Sequence, residues 1–227
     1  MKEKLVVLSG AGISAESGIR TFRDMGGMWE EYDVMEVCSP DGWSKNNELV
    51  LDFYNQRRKQ LATVKPNEAH LGLKALEKYY DVEIITQNVD NLHEVAGSKV
   101  IHHLHGELTK ARSVSDRSDT ITDIGYDEIK IGDKASDGLQ LRPHIVWFGE
   151  AVPMMDVVIP IVKNADIFVV IGTSLNVYPA AGLLNYAGND TRFYLIDPGD
   201  VEIPSYVTVF KENASTGIKK LMEELCD

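Results

Sequence analysis

Cysteine is almost missing from this chain: its 227 residues include only Cys38 and Cys226. Two thiols so far apart make no disulfide framework and fit no metal-ligand spacing, so a cystine-stapled secreted fold is excluded and a reducing compartment is expected. Long apolar runs are missing too. No stretch reaches the roughly 20 residues that a bilayer-spanning helix needs, and the charged start 1–4 leads straight into a short strand, so a cytoplasmic protein without a membrane partner is expected. Positive charge is scarce, with 23 Lys and Arg against 35 Asp and Glu and a net charge of -12. That balance excludes a protein that grips nucleic-acid backbones through clustered cations, while an acidic surface tolerates lysine-rich protein substrates. Internal repeats and low-complexity tracts are also lacking, which leaves one globular domain, or one with a small appended lobe.

What is present is a recurrence of short β-rich runs at 5–8, 82–86, 100–104, 145–148, 167–171 and 193–196, with helix-like segments between many of them. The alternation predicts an α/β fold, a Rossmann-like, mainly parallel sheet with helices on both faces, whose ligand site lies beyond the carboxyl ends of the strands. Polar clusters fall at those ends: Ser9-Gly10-Ala11-Gly12, Gln87-Asn88-Val89-Asp90, His105-Gly106 and Gly172-Thr173-Ser174. The glycines of the first loop let the backbone turn sharply and bring N–H groups near a phosphate. Ser14, Ser17, Thr21, Arg23 and Asp24 add hydrogen-bonding groups beside it, with Phe22 and Trp29 as ring contacts. The segment 111–141 is rich in small polar residues and reads as a lobe with little core of its own, and 216–225 reads as a closing amphipathic helix.

Three histidines crowd one strand end. Alternation places His103 and His105 on one face and His102 on the other, and His105, followed by Gly106, is the candidate general base. A zinc site from His93, His103 and His105 is the competing idea, but no cysteine or dense carboxylate set completes it. Gln87, Asn88 and Asp90 can orient an amide or ribose and stabilise positive charge, or they can simply form a turn. The helical segment 48–61 holds an anomaly: Val50, Tyr54, Arg57 and Leu61 share one face at spacings of four, three and four. A cation in an apolar stripe needs an anion, internal or bound, and Tyr54 can donate to that same anion, so the pair reads as a carboxylate pocket.

Taken in order, Gly10–Ile19 with Thr21-Phe22-Arg23, Thr86–His93, Leu104-His105-Gly106, Arg142–Glu150 and Gly172–Ser174 resemble the sirtuins, NAD-dependent protein lysine deacylases. Ala15–Gly18 with Tyr54 and Arg57 are similar to the class that removes succinyl and malonyl groups, and acetyl removal is possible on the same frame. The resemblance implies one catalytic domain over 1–227, with a small lobe from about 25–60 and 111–141. It implies NAD held by Gly10, Ala11, Gly12, Ser14, Ala15, Glu16, Thr21, Phe22, Arg23, Trp29, Gln87, Asn88, Asp90, Gly172, Thr173, Ser174, Asp197 and Ala214. Catalysis would rest on His105, Asn88 and Asp90. The acyl-lysine protein or peptide would lie as an added strand against Val146, Phe148 and Gly149, near 175–179, with Tyr54 and Arg57 on the acyl tail. In the implied reaction the acyl oxygen attacks the ribose carbon as nicotinamide leaves. His105 then deprotonates a ribose hydroxyl, and the products are lysine and O-acyl-ADP-ribose.

Two departures stand out. Most sirtuins hold the small lobe with four zinc-bound cysteines, whereas 111–141 contains none, so no structural zinc is expected and the lobe is expected to be locally mobile. Asp197 stands where the family often has Asn, and it can accept from ribose hydroxyls while disfavouring a ribose phosphate. Protein ADP-ribosyl transfer on the same fold, or nucleotide sensing without turnover, are the alternatives.

Overall fold

The computed structural model describes residues 2–20, 32–115, 120–201 and 203–226. In chain order these form β1 Lys4–Ser9, α1 Gly12–Ala15, α2 Val34–Val37, α3 Pro40–Lys45, α4 Asn47–Leu61, α5 Glu68–Leu76, β2 Asp81–Thr86, α6 Leu92–Val95 and β3 Ile101–His103. There follow β4 Gly106–Ser113, β5 Ile121–Asp123, β6 Leu141–Ile145, α7 Met154–Lys163, β7 Ile167–Ile171, β8 Arg192–Ile196, β9 Thr208–Phe210 and α8 Ala214–Cys226. A 3-10 segment, Ala180–Tyr186, precedes β8.

Six strands make one sheet in the order β3-β2-β1-β7-β8-β9, and each neighbouring pair is parallel. Because strand side chains alternate, each strand feeds two cores. Leu5, Val7, Val169, Ile171 and Ile196 pack with Leu73 and Leu76 of α5 and Ile218 and Leu221 of α8. Val6, Leu8, Phe168, Val170 and Leu195 pack on the other face with Val158 and Val162 of α7 and Leu183 of the 3-10 segment. The near-continuous apolar strand sequences follow from this two-sided burial. Sheet order reverses direction between β1 and β7, the switch point at which such folds bind ligands.

The run expected at 145–148 is corrected. β6 ends at Ile145 and belongs to a second, three-stranded antiparallel sheet, β5-β4-β6, while 146–148 leaves the ladder and enters a turn. That turn is organised by Glu150, whose Oε1 and Oε2 accept from both terminal nitrogens of Arg142 at 2.7 and 3.1 Å and whose Oε2 also accepts from Trp147 N. The strand at 100–104 is trimmed to Ile101–His103, because Leu104 already turns toward Gly106. The helix expected over 48–61 starts one residue earlier, capped by the Asn46 side chain on Leu49 N.

The small sheet packs on α4 through Leu108 and Ile145 with Val50, Phe53 and Leu61, and a smaller cluster of Ala111 and Ile129 with Leu51 extends this core. A polar clamp on α4 supplements it. Arg58 is fully buried and donates from Nε to Asp127 O at 2.9 Å, from Nη1 to Leu108 O at 3.4 Å and from Nη2 to Asn55 Oδ1 at 2.5 Å. Asn55 in turn pairs with the backbone of Ile129, donating to its carbonyl and accepting from its N–H. Burial lowers the Arg58 pKa to about 10, with Glu128 and Tyr54 working against that shift. The sequence reading singled out Arg57 as the buried cation of this helix, yet its neighbour is the more deeply buried one. Apolar spacing alone does not separate adjacent positions 100° apart on a helix.

Candidate active site

A cleft of about 670 Å³ opens above the carboxyl ends of the parallel strands. One end is walled by Gly10, Ala11, Gly12, Ala15 and Glu16 from the first loop, Gly172, Thr173 and Ser174 after β7, Asp197 after β8 and Ala214 at the start of α8. The glycines have a further reason here. A Cβ at Gly10 would stand 2.6 Å from Thr173 Cβ, one at Gly12 2.9 Å from Gly172 Cα, and one at Gly172, whose φ is +64°, 2.2 Å from Ile13 N. The two loops therefore press together backbone to backbone, which only glycine permits. The expected phosphate-facing amides need correction at two positions, since Gly10 N donates to Ile171 O and Gly12 N to Gly172 O. Both loops nonetheless line the cleft side by side, with Gly10, Gly12 and Gly172 on its wall. Glu16 accepts from Ser215 N, and Asp197 Oδ1 from Gly199 N, so both acids are held by backbone at the rim.

Deeper in, Asn88 and Asp90 are buried and meet at Ser14. Asn88 Nδ2 donates to Ser14 Oγ at 3.1 Å, and Ser14 Oγ donates to Asp90 Oδ2 at 3.0 Å. Leu92 N donates to the other oxygen of Asp90. Burial raises the Asp90 pKa, and these two donated bonds hold it back. A small adjoining pocket is lined by Ala11, Ser14, Ile19, Asn88, Asp90 and Arg57. Gln87 joins the two loops by donating from Nε2 to Thr173 Oγ1 at 3.2 Å.

His105 lies on the cleft wall, with Nδ1 3.0 Å from Gln87 O. A carbonyl only accepts, so Nδ1 carries the proton and Nε2 holds the lone pair. Burial lowers its pKa, with the Gln87 bond opposing, which favours the neutral ring. His103 also turns to this loop, with Nδ1 2.9 Å from Asn88 O, but its Nε2 pairs with Glu94, whereas His102 pairs with Glu83. His93 instead faces the core, against Ser9 Oγ. The competing zinc trio is thereby split among three different partners. Gly106 serves more than the neighbouring imidazole: its φ is +82° and a Cβ there would stand 2.0 Å from His144 O on β6.

The far end of the cleft is lined by Cys38, Phe53, Tyr54, Arg57, Val146, Trp147, Phe148 and Gly149. Tyr54 is buried, and its Oη accepts from Trp147 Nε1 at 3.1 Å. Arg57 is half-buried over the Phe53 ring, 5.4 Å from its centroid, and burial lowers its pKa while Tyr54, Cys38 and Asp90 oppose that shift. The structure therefore brings together every described residue of the predicted site. Thr21, Phe22, Arg23 and Trp29 lie outside the described residues. Sequence reasoning missed Cys38, and no local signal pointed to it.

The chain belongs to the Sir2 family, whose model matches residues 10–179. It is similar to an NAD-dependent protein deacylase of Bacteroides thetaiotaomicron, 54% identical over 98% of each chain, and to one of Helicobacter pylori, 53% identical over 99% of this chain and 96% of that one. Among solved structures it resembles a Sir2 homologue in complex with NAD, with a TM-score of 0.88 and 34% identity over 98% of this chain and 89% of the other. The architecture is accordingly the Rossmann-like fold of that family. No helix among the described residues is long and apolar enough to cross a membrane.

Proposed function

We propose that this protein is an NAD-dependent protein-lysine deacylase that favours acyl groups ending in a carboxylate, succinyl and malonyl, over acetyl. The observation that carries this reading is the placement of Tyr54 and Arg57 at one end of the cleft that holds His105 and Asn88. A half-buried guanidinium beside a phenol gains most from a bidentate anion, because the charge-assisted bonds offset its partial desolvation.

The residues present fit the cofactor. The loops Gly10–Gly12 and Gly172–Ser174 together line a cleft of about 670 Å³, a size that suits a dinucleotide, and the acids Glu16 and Asp197 at the rim suit hydroxyls better than an added phosphate. When bound, NAD supplies an activated ribose carbon whose bond to nicotinamide breaks. Asn88 and Asp90, fixed through Ser14, orient a carboxamide and oppose positive charge in the small pocket beside them. His105, held by Gln87 O, accepts a proton at Nε2. The peptide lies as a strand along Val146, Phe148 and Gly149 and the opposite wall Val177–Pro179, so that its lysine enters between the two sheets. Enclosure by these walls keeps bulk water from the reacting centre.

The test is a mass-resolved assay with acetyl-, succinyl- and malonyl-lysine peptides and NAD. Succinyl and malonyl removal should exceed acetyl removal, and Arg57→Met should lower the succinyl-to-acetyl ratio of kcat/KM about 30-fold or more, the loss of about 2 kcal/mol for a charge-assisted contact. Fast acetyl removal with no succinyl removal defeats the anion-pocket reading, and ADP-ribose attached to the peptide defeats deacylation. Because burial depresses the His105 pKa, kcat/KM should be flat from pH 7 to 8 and should fall only below the ordinary histidine range, as Nε2 becomes protonated.

A further inference from the structure

Between the acyl-binding pair and the rest of the protein lies a hydrogen-bonded row with one unexplained member. Trp147 Nε1 donates to Tyr54 Oη at 3.1 Å, and Tyr54 Oη lies 3.1 Å from Cys38 Sγ. These three residues come from the loop after β6, from α4 and from the position just after α2, and all three line the cleft. Cys38 is fixed there from a second side, because its carbonyl accepts from Phe148 N at 2.9 Å, tying it to the loop proposed to carry the peptide. Cys38 is only 8% exposed, and burial pushes its thiol pKa up, which favours a hydrogen-bond partner over a nucleophile.

The donor inventory gives this row a direction. Indole N–H can only donate, so Trp147 occupies an acceptor position on Tyr54 Oη and leaves the phenol's own proton to be placed. Two destinations are in reach: the sulfur, or a group in the cleft. An O–H bond to sulfur is weak, and one to a carboxylate is short and charge-assisted. With a neutral acyl tail the sulfur accepts the proton of a buried hydroxyl that would otherwise go unsatisfied. With an acidic tail the hydroxyl turns to the carboxylate, and the thiol can donate back to the phenol oxygen.

We infer that Cys38 is a positioning residue for acyl selectivity, whose sulfur holds the Tyr54 hydroxyl proton when the acyl tail is neutral and yields it when the tail carries a carboxylate. This rests on the acidic-acyl reading above. It makes the protein tolerant of both acyl classes, and the residue type sets the balance. A side chain that cannot accept leaves Tyr54 satisfied only by a carboxylate and so narrows the enzyme toward acidic acyl groups.

The experiment measures kcat/KM on succinyl- and acetyl-lysine peptides for Cys38→Ala, Cys38→Val and Cys38→Ser, each also in a Tyr54→Phe background. Valine fills the volume of the thiol, so a water molecule cannot take its place. Cys38→Ala and Cys38→Val should each raise the succinyl-to-acetyl ratio about 5- to 10-fold, within the range expected for an unsatisfied buried hydroxyl. Cys38→Ser, which can accept, should leave the ratio at or below that of the parent. In the Tyr54→Phe background the effect of Cys38→Ala should vanish, the coupling expected of a residue that acts through the phenol. An unchanged ratio in both non-accepting variants overturns the inference, as does an equal rise with Phe at 54, which would make pocket size the cause. If Tyr54→Phe and Arg57→Met also leave succinyl removal intact, the acidic-acyl reading fails as well, so the two failures are distinguishable.

Discussion

The large parallel sheet and the small antiparallel sheet solve the same problem by different means. In the large sheet, strands buried on both faces supply two apolar layers, with residues such as Phe168 and Leu5 fully enclosed. The small sheet packs Leu108, Ala111 and Ile145 against apolar residues of α4, and α4 adds hydrogen bonds from Asn55 and Arg58 that end on backbone carbonyls and N–H groups of 108–129. Burial of apolar area is non-directional and tolerates small shifts. A set of hydrogen bonds to a buried cation fixes distance and angle, at the cost of desolvating the charge. The small sheet is thus held on α4 by apolar packing and directional bonds together, where the large sheet is enclosed by two apolar layers. Helix α4 belongs to both arrangements: Tyr54 and Arg57 line the cleft while Asn55 and Arg58 bond to the small sheet, so that end of the cleft is tied to the small sheet.

This contrast can be broken from either side. Phe168→Ala removes an aromatic side chain from a close-packed layer and should cost about 3–5 kcal/mol, seen in denaturant titration as a shifted midpoint for the whole protein. Arg58→Met keeps the stem but strands two carbonyls and Asn55, and should cost about 3 kcal/mol. Its signature differs, because hydrogen exchange should quicken in 106–145 while β1 and β7 keep their protection. Uniform quickening would show that the clamp supports the entire fold and not the lobe.

Acid offers a third probe, aimed at the large-sheet side. His70 on α5 is fully buried, its ring 4.9 Å from that of His93, and burial lowers its pKa to about 4. A histidine whose folded pKa is depressed contributes stability that is present above its unfolded value, near 6.5, and is lost as pH falls below that value. Stability should therefore drop by about 3 kcal/mol between pH 6.5 and about 4 from His70 alone. His93, displaced in the same direction, adds to the loss. In His70→Gln the slope of stability against pH over that window should be visibly shallower. An unchanged slope would mean that these rings already escape to solvent.

Several parts of this were legible in the residues. The strand at 5–8, the Gly10–Gly12 loop, the cluster at 87–90, His105 and the loop at 172–174 are local signals, because turn chemistry and two-residue alternation are written within a few positions. The pairing of Tyr54 with Arg57 was legible too, since helical spacing sets which side chains share a face. Other features were not. The ladder partners of β6 lie 28 to 39 residues earlier, so the run at 145–148 offered no clue to its antiparallel place. The second purpose of Gly10, Gly12 and Gly106, close approach to a distant backbone, is likewise visible only after folding.

The amino-acid order by itself determined the parallel-sheet fold, the polar character of each strand exit, the family resemblance and the scarcity of cysteine. Those properties depend on short-range patterns and on composition. Tertiary structure alone decided that Arg58 and not Arg57 would be the fully buried cation, that Gly172 would press on Gly12, and that Cys38 would stand 3.1 Å from the Tyr54 hydroxyl. Each of these depends on which distant segments share a volume, and burial, desolvation and hydrogen-bond geometry are properties of that shared volume, not of the residue that enters it.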